Sequence, residues 1–337
     1  MKRRLSPRRL TVTGLLLLAL VAALLWVIPS NEYIFLPDRA HPVAPIVEVA
    51  GGKDPNDGGG IYFVDIFVRK ATLLERLWPG LREGAQLVPA SALLAPGTSD
   101  SERRQADRRA MSRSQEVAAA VALRAAGYKV VARPVGALVE QVDPHAPSAA
   151  KLEAGDVIVR ADTTPVRGPA DLRRAVGKHK PGERVTIVVR RGDSQRRLVV
   201  RTREDPTRPG IPIIGVLVDQ EASIKLPIRV KINAGNIGGP SAGLPFALDV
   251  LEEAGRDVDH GRKVAATGAI ALDGTVSAIG GVRQKTIGVR RSGIDVFLVP
   301  AGENAAEARR YADGMRIVPV RTFQQALRAL ATIGREG

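Results

Sequence analysis

No cysteine occurs anywhere in the 337-residue chain. That excludes a thiol nucleophile, a disulfide framework and Cys-ligated zinc. Histidine is scarce too: His41, His145, His179 and His260 stand far apart, none at metal-ligand spacing from another, so no metal site is expected. No Gly-x-x-x-x-Gly-Lys-[Ser/Thr] phosphate loop is present, which excludes an ATPase of that kind, and no cofactor is expected. Aromatic residues make up 4% of the chain, few to stack nucleic-acid bases. The formal charge of +15 therefore reads as a basic proteome or attraction to anionic surfaces rather than as nucleic-acid binding. Five of those charges, Lys2, Arg3, Arg4, Arg8 and Arg9, lie in residues 1–28, which hold no acid; the remaining +10 is spread along the chain.

What is present first is a long apolar run. Residues 10–28 are apolar apart from Thr11, Thr13 and Gly14 and follow the basic residues 1–9. A helix of about 20 such residues spans a bilayer, and the positive flank keeps the N-terminus cytoplasmic. One transmembrane helix is therefore expected, with the rest of the chain outside the cell membrane. The rival is a cleaved signal peptide, but the run is longer than a usual h-region and no Ala-x-Ala follows it before Pro29-Ser30.

The length allows roughly two domains. Between 29 and 60 the chain is rich in Pro and Gly, with Ile46-Val47-Glu48-Val49 as a short strand that would pair, across a turn at 51–60, with the largely buried strand 61–68. Residues 96–113 read as a mobile loop or solvated helix; Val117, Ala118, Val121, Ala122 and Ala125 then fall at helical spacing, and Gly127 stops that helix. Residues 130–205 form a second block, with strands near Val139 and Val142, Asp143-Pro144-His145-Ala146-Pro147-Ser148, Gly155-Asp156-Val157-Ile158, a helix near Ala170 to Val176, and Pro181-Gly182 before a strand at 185–190. That order resembles a PDZ domain of the bacterial protease-associated kind, which implies peptide capture by strand addition along a groove edge. The segment 133–138 stands where a carboxylate-binding loop would be expected and matches one poorly; the bland alternative is a structural insert with an unused groove.

Chemistry concentrates at Gly235-Asn236-Ile237-Gly238-Gly239-Pro240-Ser241-Ala242-Gly243-Leu244. Ser241 stands on a glycine-rich turn before the helical pattern Leu244, Leu248, Leu251, where unpaired N–H groups favour negative charge. Helix capping reads the same way. A serine hydroxyl needs a base to attack. Gly239-x-Ser241-x-Gly243 fits the nucleophile elbow of α/β-hydrolases, but the one histidine downstream, His260, lies in a very polar stretch that reads as an exposed loop. The remaining base is a lysine whose pKa burial lowers. Lys285, in the first turn of a helix after Ile279-Gly280-Gly281-Val282, has Val282 and Val289 at helical spacing and can face inward; a solvated helix lysine is the alternative.

Together, Gly239-Pro240-Ser241-Ala242-Gly243, Thr267-Gly268 on a strand from Lys263, and the segment ending in Lys285, 44 residues after the serine, resemble the Lon protease catalytic domain. Segments 61–68 and 114–126 resemble its early strand and helix. The resemblance implies an α+β fold: a Lon-type proteolytic domain interrupted by a small β-rich PDZ domain behind one transmembrane helix. Its boundaries are a basic tail 1–9, the anchor 10–28, a linker and first protease part 29–128, the PDZ domain 129–205, and a second protease part 206–337. It further implies a Ser-Lys dyad in which Ser241 attacks, Lys285 moves the proton, Thr267 helps orient the lysine, and backbone N–H groups near Ser241 hold the oxyanion, with Gly239, Pro240 and Ala242 as supporting residues of the serine motif. The expected partners are peptide or unfolded-protein substrates, the membrane and, since Lon-type domains often form rings, other copies of the chain. Many Lon proteases carry an acid three positions before the serine, where this chain has Gly238. Without a phosphate loop, cleavage should be ATP-independent. The alternatives are a catalytically inactive, membrane-tethered PDZ scaffold that binds peptides, and a type I signal peptidase, whose serine would follow the anchor far sooner than Ser241 does.

Overall fold

The computed structural model describes residues 7–52, 58–93, 100–235 and 237–335. Parts of the basic tail, of the 51–60 turn and of the 96–113 segment, together with Asn236, thus lie outside the described residues.

The N-terminal third contains helix α1 (Pro7–Val27), strands β1 (Pro29–Pro42), β2 (Val47–Val49) and β3 (Gly60–Thr72), helix α2 (Leu73–Leu77), strand β4 (Gln86–Pro89), and helices α3 (Ala90–Leu93) and α4 (Asp100–Ala125). Among the described residues no helix is long and apolar enough to cross a membrane, so the transmembrane helix expected over 10–28 is not assigned. β1 is a strand that the proline-rich composition concealed: it runs antiparallel to β3 and breaks register between Pro29 and Tyr33 and between Pro37 and Ala40. Proline lacks the N–H that a ladder requires, and bulges accommodate it. β2 pairs with Val230–Ile232 and not with β3 as expected. Both edges of β3 are already taken, by β1 and by the later strand Lys263–Ala266. The described part of 96–113 is helical from Asp100 and continuous with the expected helix, which ends before Gly127 at φ +89°.

The middle third contains β5 (Val131–Val142), β6 (Val157–Ala161), β7 (Thr164–Pro165), helix α5 (Pro169–Val176), β8 (Arg184–Arg191), β9 (Ser194–Arg201), β10 (Arg203–Asp205), β11 (Arg208–Ile213) and β12 (Val216–Lys225). The sheet runs β12-β5-β6-β8-β9 around its own core of Val139, Leu152, Ile158, Val185 and Ile187. Its outer strand thus lies beyond the boundary expected at Asp205. Asp156 of the Gly-Asp pair is buried and accepts two hydrogen bonds from Arg191, at 2.6 and 2.7 Å, which ties the start of β6 to the end of β8.

The final third contains β13 (Val230–Ile232), helix α6 (Gly243–Glu253), β14 (Lys263–Ala266), β15 (Ala269–Ile270), β16 (Val276–Ser277), α7 (Val282–Arg291), β17 (Val296–Pro300), α8 (Glu303–Tyr311), β18 (Arg316–Val320) and α9 (Phe323–Arg335). One sheet, β18-β17-β14-β3-β1-β4, draws strands from both sides of the middle third. It is parallel from β18 to β3 and antiparallel beyond, so the architecture is mixed α/β rather than the α+β expected. Alternate residues of β17 serve opposite cores: Val296 and Leu298 belong to one shared with α4, α6 and α9, whereas Phe297 and Val299 belong to one shared with α7 and α8. Covering both faces explains why this strand is apolar without alternation.

Candidate active site

The serine turn is shaped by backbone requirements. Gly239 takes φ +86°, which favours glycine, and Pro240 opens a 3-10 turn, Pro240–Ala242, that runs into α6. Two α4 residues hold this turn: Gly239 N–H donates to the Asp107 carbonyl at 3.0 Å, and Ser114 Oγ donates to the Pro240 carbonyl at 3.1 Å. The Ser241 carbonyl accepts from Gly268 N–H at 2.8 Å and from Thr267 Oγ1 at 3.2 Å. A methyl group on Gly243 would lie 2.8 Å from Ser114 Oγ and 2.9 Å from Ile270, so the turn fits only a bare backbone there.

Thr267 follows the end of β14, where α6 and α7, from opposite faces of the sheet, come together. The carboxyl end of a parallel strand is where such sheets place ligands. Lys285 stands in the first turn of α7, after Gly281 in the left-handed region at φ +69°. Its side chain is 1% exposed. Nζ donates to Ser241 Oγ at 2.7 Å and to Thr267 Oγ1 at 3.2 Å. Burial lowers the Lys285 pKa to about 8, and the negative charge of Asp65 on β3 partly opposes that shift. Burial in turn pushes the Asp65 carboxyl up.

The structure thus brings Ser241, Thr267 and Lys285 into one hydrogen-bonded group, with Gly239, Pro240 and Ala242 forming the turn around the serine. Three further residues escaped sequence reasoning. The one signal for Asp65 is that it is a lone acid in an apolar strand, which does not say what its charge acts on; Ser114 and Asp107 gave no signal, because their role depends on α4 crossing the serine turn. Gly238 also gains a physical reason: a Cβ there would lie 2.8 Å from the Cβ of Asp107, so the approach of α4 leaves no room for a side chain. His260 bonds to Asp257, not to the serine. The one described cluster with metal-ligand spacing is acidic: Glu252, Asp257 and Asp259 offer oxygens within 4.8 Å of one another at the end of α6. Burial and the charge of Asp259 push Glu252 up to about 7.

The peptide groove expected of the middle third is also altered. The outer edge of β5, including 133–138, is paired with β12 from Val131↔Lys225 to Val142↔Val216.

Fold and geometry define the class first: a mixed α/β protein with a serine in contact with a buried lysine, an arrangement suited to nucleophilic hydrolysis. The comparisons then specify its parts. Residues 215–332 match the family model of the Lon protease (S16) C-terminal proteolytic domain, and residues 105–202 match that of the PDZ domain. The PDZ match begins inside α4, whose buried face packs on α6. The chain is similar to the Lon protease of Mesomycoplasma hyopneumoniae (strain 232), 36% identical over 104 residues that cover 29% of this chain and 12% of that protein. It is likewise similar to Lon protease 2 of Bacillus subtilis (strain 168), 37% identical over 91 residues, 27% of this chain and 16% of that protein. It thus spans a small part of these relatives' length. Among solved structures it resembles the PDZ domain of an SdrC-like protein from Listeria monocytogenes, at 26% identity over 25% of this chain and 87% of that one, with a TM-score of 0.23. The chain carries a PDZ domain together with a serine-protease domain of the Lon type.

Proposed function

We propose that this chain is an ATP-independent serine endopeptidase that cleaves peptides and unfolded proteins with a Ser241–Lys285 dyad. The contact of a fully buried Lys285 Nζ with Ser241 Oγ at 2.7 Å carries the reading. With its pKa near 8, Lys285 is partly neutral at physiological pH and can accept a proton. Ser241 Oγ attacks the peptide carbonyl as its proton passes to Lys285 Nζ. The tetrahedral oxyanion forms beside backbone N–H groups near Ser241. Lys285 then gives the proton to the departing amine, leaving an acyl-enzyme. Water attacks that ester, its proton passes to Lys285, and return of the proton to Ser241 Oγ releases the carboxylic acid product. Thr267 Oγ1, held between Lys285 Nζ and the Ser241 carbonyl, fixes the lysine rotamer.

The finer organisation belongs to the same proposal. Residues 129–205 form a PDZ insertion within a protease domain split between 29–128 and 206–337. Residues 10–28 anchor the chain in the cell membrane with residues 1–9 cytoplasmic. The apolar run itself and the outward exposure of Leu15, Leu16, Leu17, Leu18 and Leu20 on α1 support that placement, because such a surface is costly in water. Copies of the chain assemble through the protease domain.

The test is hydrolysis of an unstructured protein such as casein without ATP. Ser241→Ala and Lys285→Ala should each lower kcat by at least about 1,000-fold. Retained turnover in either variant overturns the dyad, and an inert wild type that still binds peptides indicates a scaffold instead.

A further inference from the structure

PDZ domains accept a peptide as an added strand on a sheet edge. In this sheet, β6 contacts β5 at Ala137 and Leu138, and the opposite edge of β5 is the one a peptide would need. β12 covers that edge from end to end. Helix α5, the neighbouring wall, packs against both β5 and β12. Gln220 of β12 sits where a ligand side chain would: its amide donates to the carbonyl of Gly136 on β5 at 3.2 Å and to that of Arg167, just before α5, at 2.7 Å. The Gln220 amide also lies against Gly168 at the start of α5, where a Cβ would come within 2.2 Å of Gln220 Oε1. The groove is therefore filled by a segment of the same chain.

β12 is also wired to the serine turn. Arg113 of α4 donates to Asp219 at 3.1 Å and to the Gln220 carbonyl at 3.2 Å, and it pairs with Glu221 at 2.9 Å. Its neighbour Ser114 points to another face of the helix and holds the Pro240 carbonyl. One turn of α4 thus links β12 on one side to the residue before Ser241 on the other. The contact of Lys285 with Ser241 exists with β12 seated, so the seated strand belongs to the assembled site rather than to a blocked one.

The geometry points to β12 as the built-in ligand of the PDZ domain: it keeps other extended peptides off β5, and a peptide that displaces it frees Arg113 and slackens the Ser241 turn. A tethered strand competes at an effective concentration on the order of millimolar, which a free peptide of equal intrinsic affinity does not match. In its catalytic half the inference rests on the dyad proposed above; its binding half does not.

The absence of native cysteine makes a direct test available. Arg133 and Ser223 face each other across the β5–β12 ladder, so Arg133→Cys with Ser223→Cys gives a chain whose single disulfide locks β12 in place. The probe is a fluorescein-labelled peptide with the sequence of residues 215–225, followed by anisotropy on the full chain in detergent. Gln220→Ala, which removes the groove-filling amide, should bind it at least tenfold more tightly than wild type, and the oxidised double variant should not bind it. Equal binding to the oxidised and reduced forms overturns the inference, and so does the absence of binding to Gln220→Ala. With casein as substrate, the oxidised chain should keep its kcat within about twofold, whereas saturating peptide should lower the kcat of Gln220→Ala severalfold with little change in KM. Unchanged kcat under saturating peptide removes the link through Arg113. Turnover that survives Ser241→Ala marks failure of the dyad reading instead, and leaves the binding result standing.

Discussion

Lys285 makes the rate of the proposed reaction depend on pH in a definite direction. Its neutral amine is the base, so kcat/KM should rise about tenfold per pH unit below 7 and level off above about 8, where burial places its pKa. A solvated lysine would keep the rate climbing to beyond pH 10. The carboxylate of Asp65 favours the charged amine, so Asp65→Asn should move the inflection to lower pH. A role for Asp65 in packing alone would lower kcat and leave the inflection in place, which a pH profile of the two chains distinguishes. The serine and lysine stood out in the sequence because a glycine turn and an apolar helix face mark them locally. Asp65 did not, since nothing in a strand says which distant cation its charge acts on.

Among the elements, α7 is the one whose position matters most, because it carries the lysine. It lies close to β1 at Gly288, where a Cβ would come within 1.9 Å of the Asp38 carbonyl oxygen. Alanine is a better helix former than glycine by up to about 1 kcal/mol, but forcing atoms into a packed contact costs about 1–3 kcal/mol or more. The clash should win: Gly288→Ala should lower Tm and reduce kcat by shifting Lys285, whereas Gly280→Ala, with open space around it, should change Tm little. Thermal unfolding and casein turnover of the two variants check this. Helical periodicity in the sequence marked α4, α6 and α7. It did not reveal β1, whose prolines look like loop, nor the partner of β2, because strand pairing is set by which edges remain free once the sheet is assembled.

In the whole molecule, both tryptophans of the chain lie near the junction of α1 with the sheet: Trp26 near the end of the helix, under the Arg82 guanidinium at 5.8 Å, and Trp78 exposed just after α2. The proposed anchor therefore carries its own reporter. In vesicles of phosphatidylcholine and phosphatidylglycerol, a Trp78→Phe chain should show Trp26 emission quenched by brominated lipid and shielded from acrylamide. Acrylamide access equal to that of free tryptophan sinks the anchor.

The sequence by itself determined what is local and chemical: the serine turn, the lysine-bearing helix, the Gly-Asp strand of the PDZ block, the missing cysteine and phosphate loop, and the apolar run at the start. Residue type and short-range spacing encode those properties. Only the tertiary structure decided that α4 crosses the serine turn and crowds Gly238, that the charge of Asp65 acts on Lys285, and that β12 fills the edge of β5. Those contacts join residues tens to hundreds of positions apart. They depend on which sheet edges and helix faces are still open after the rest of the chain has packed.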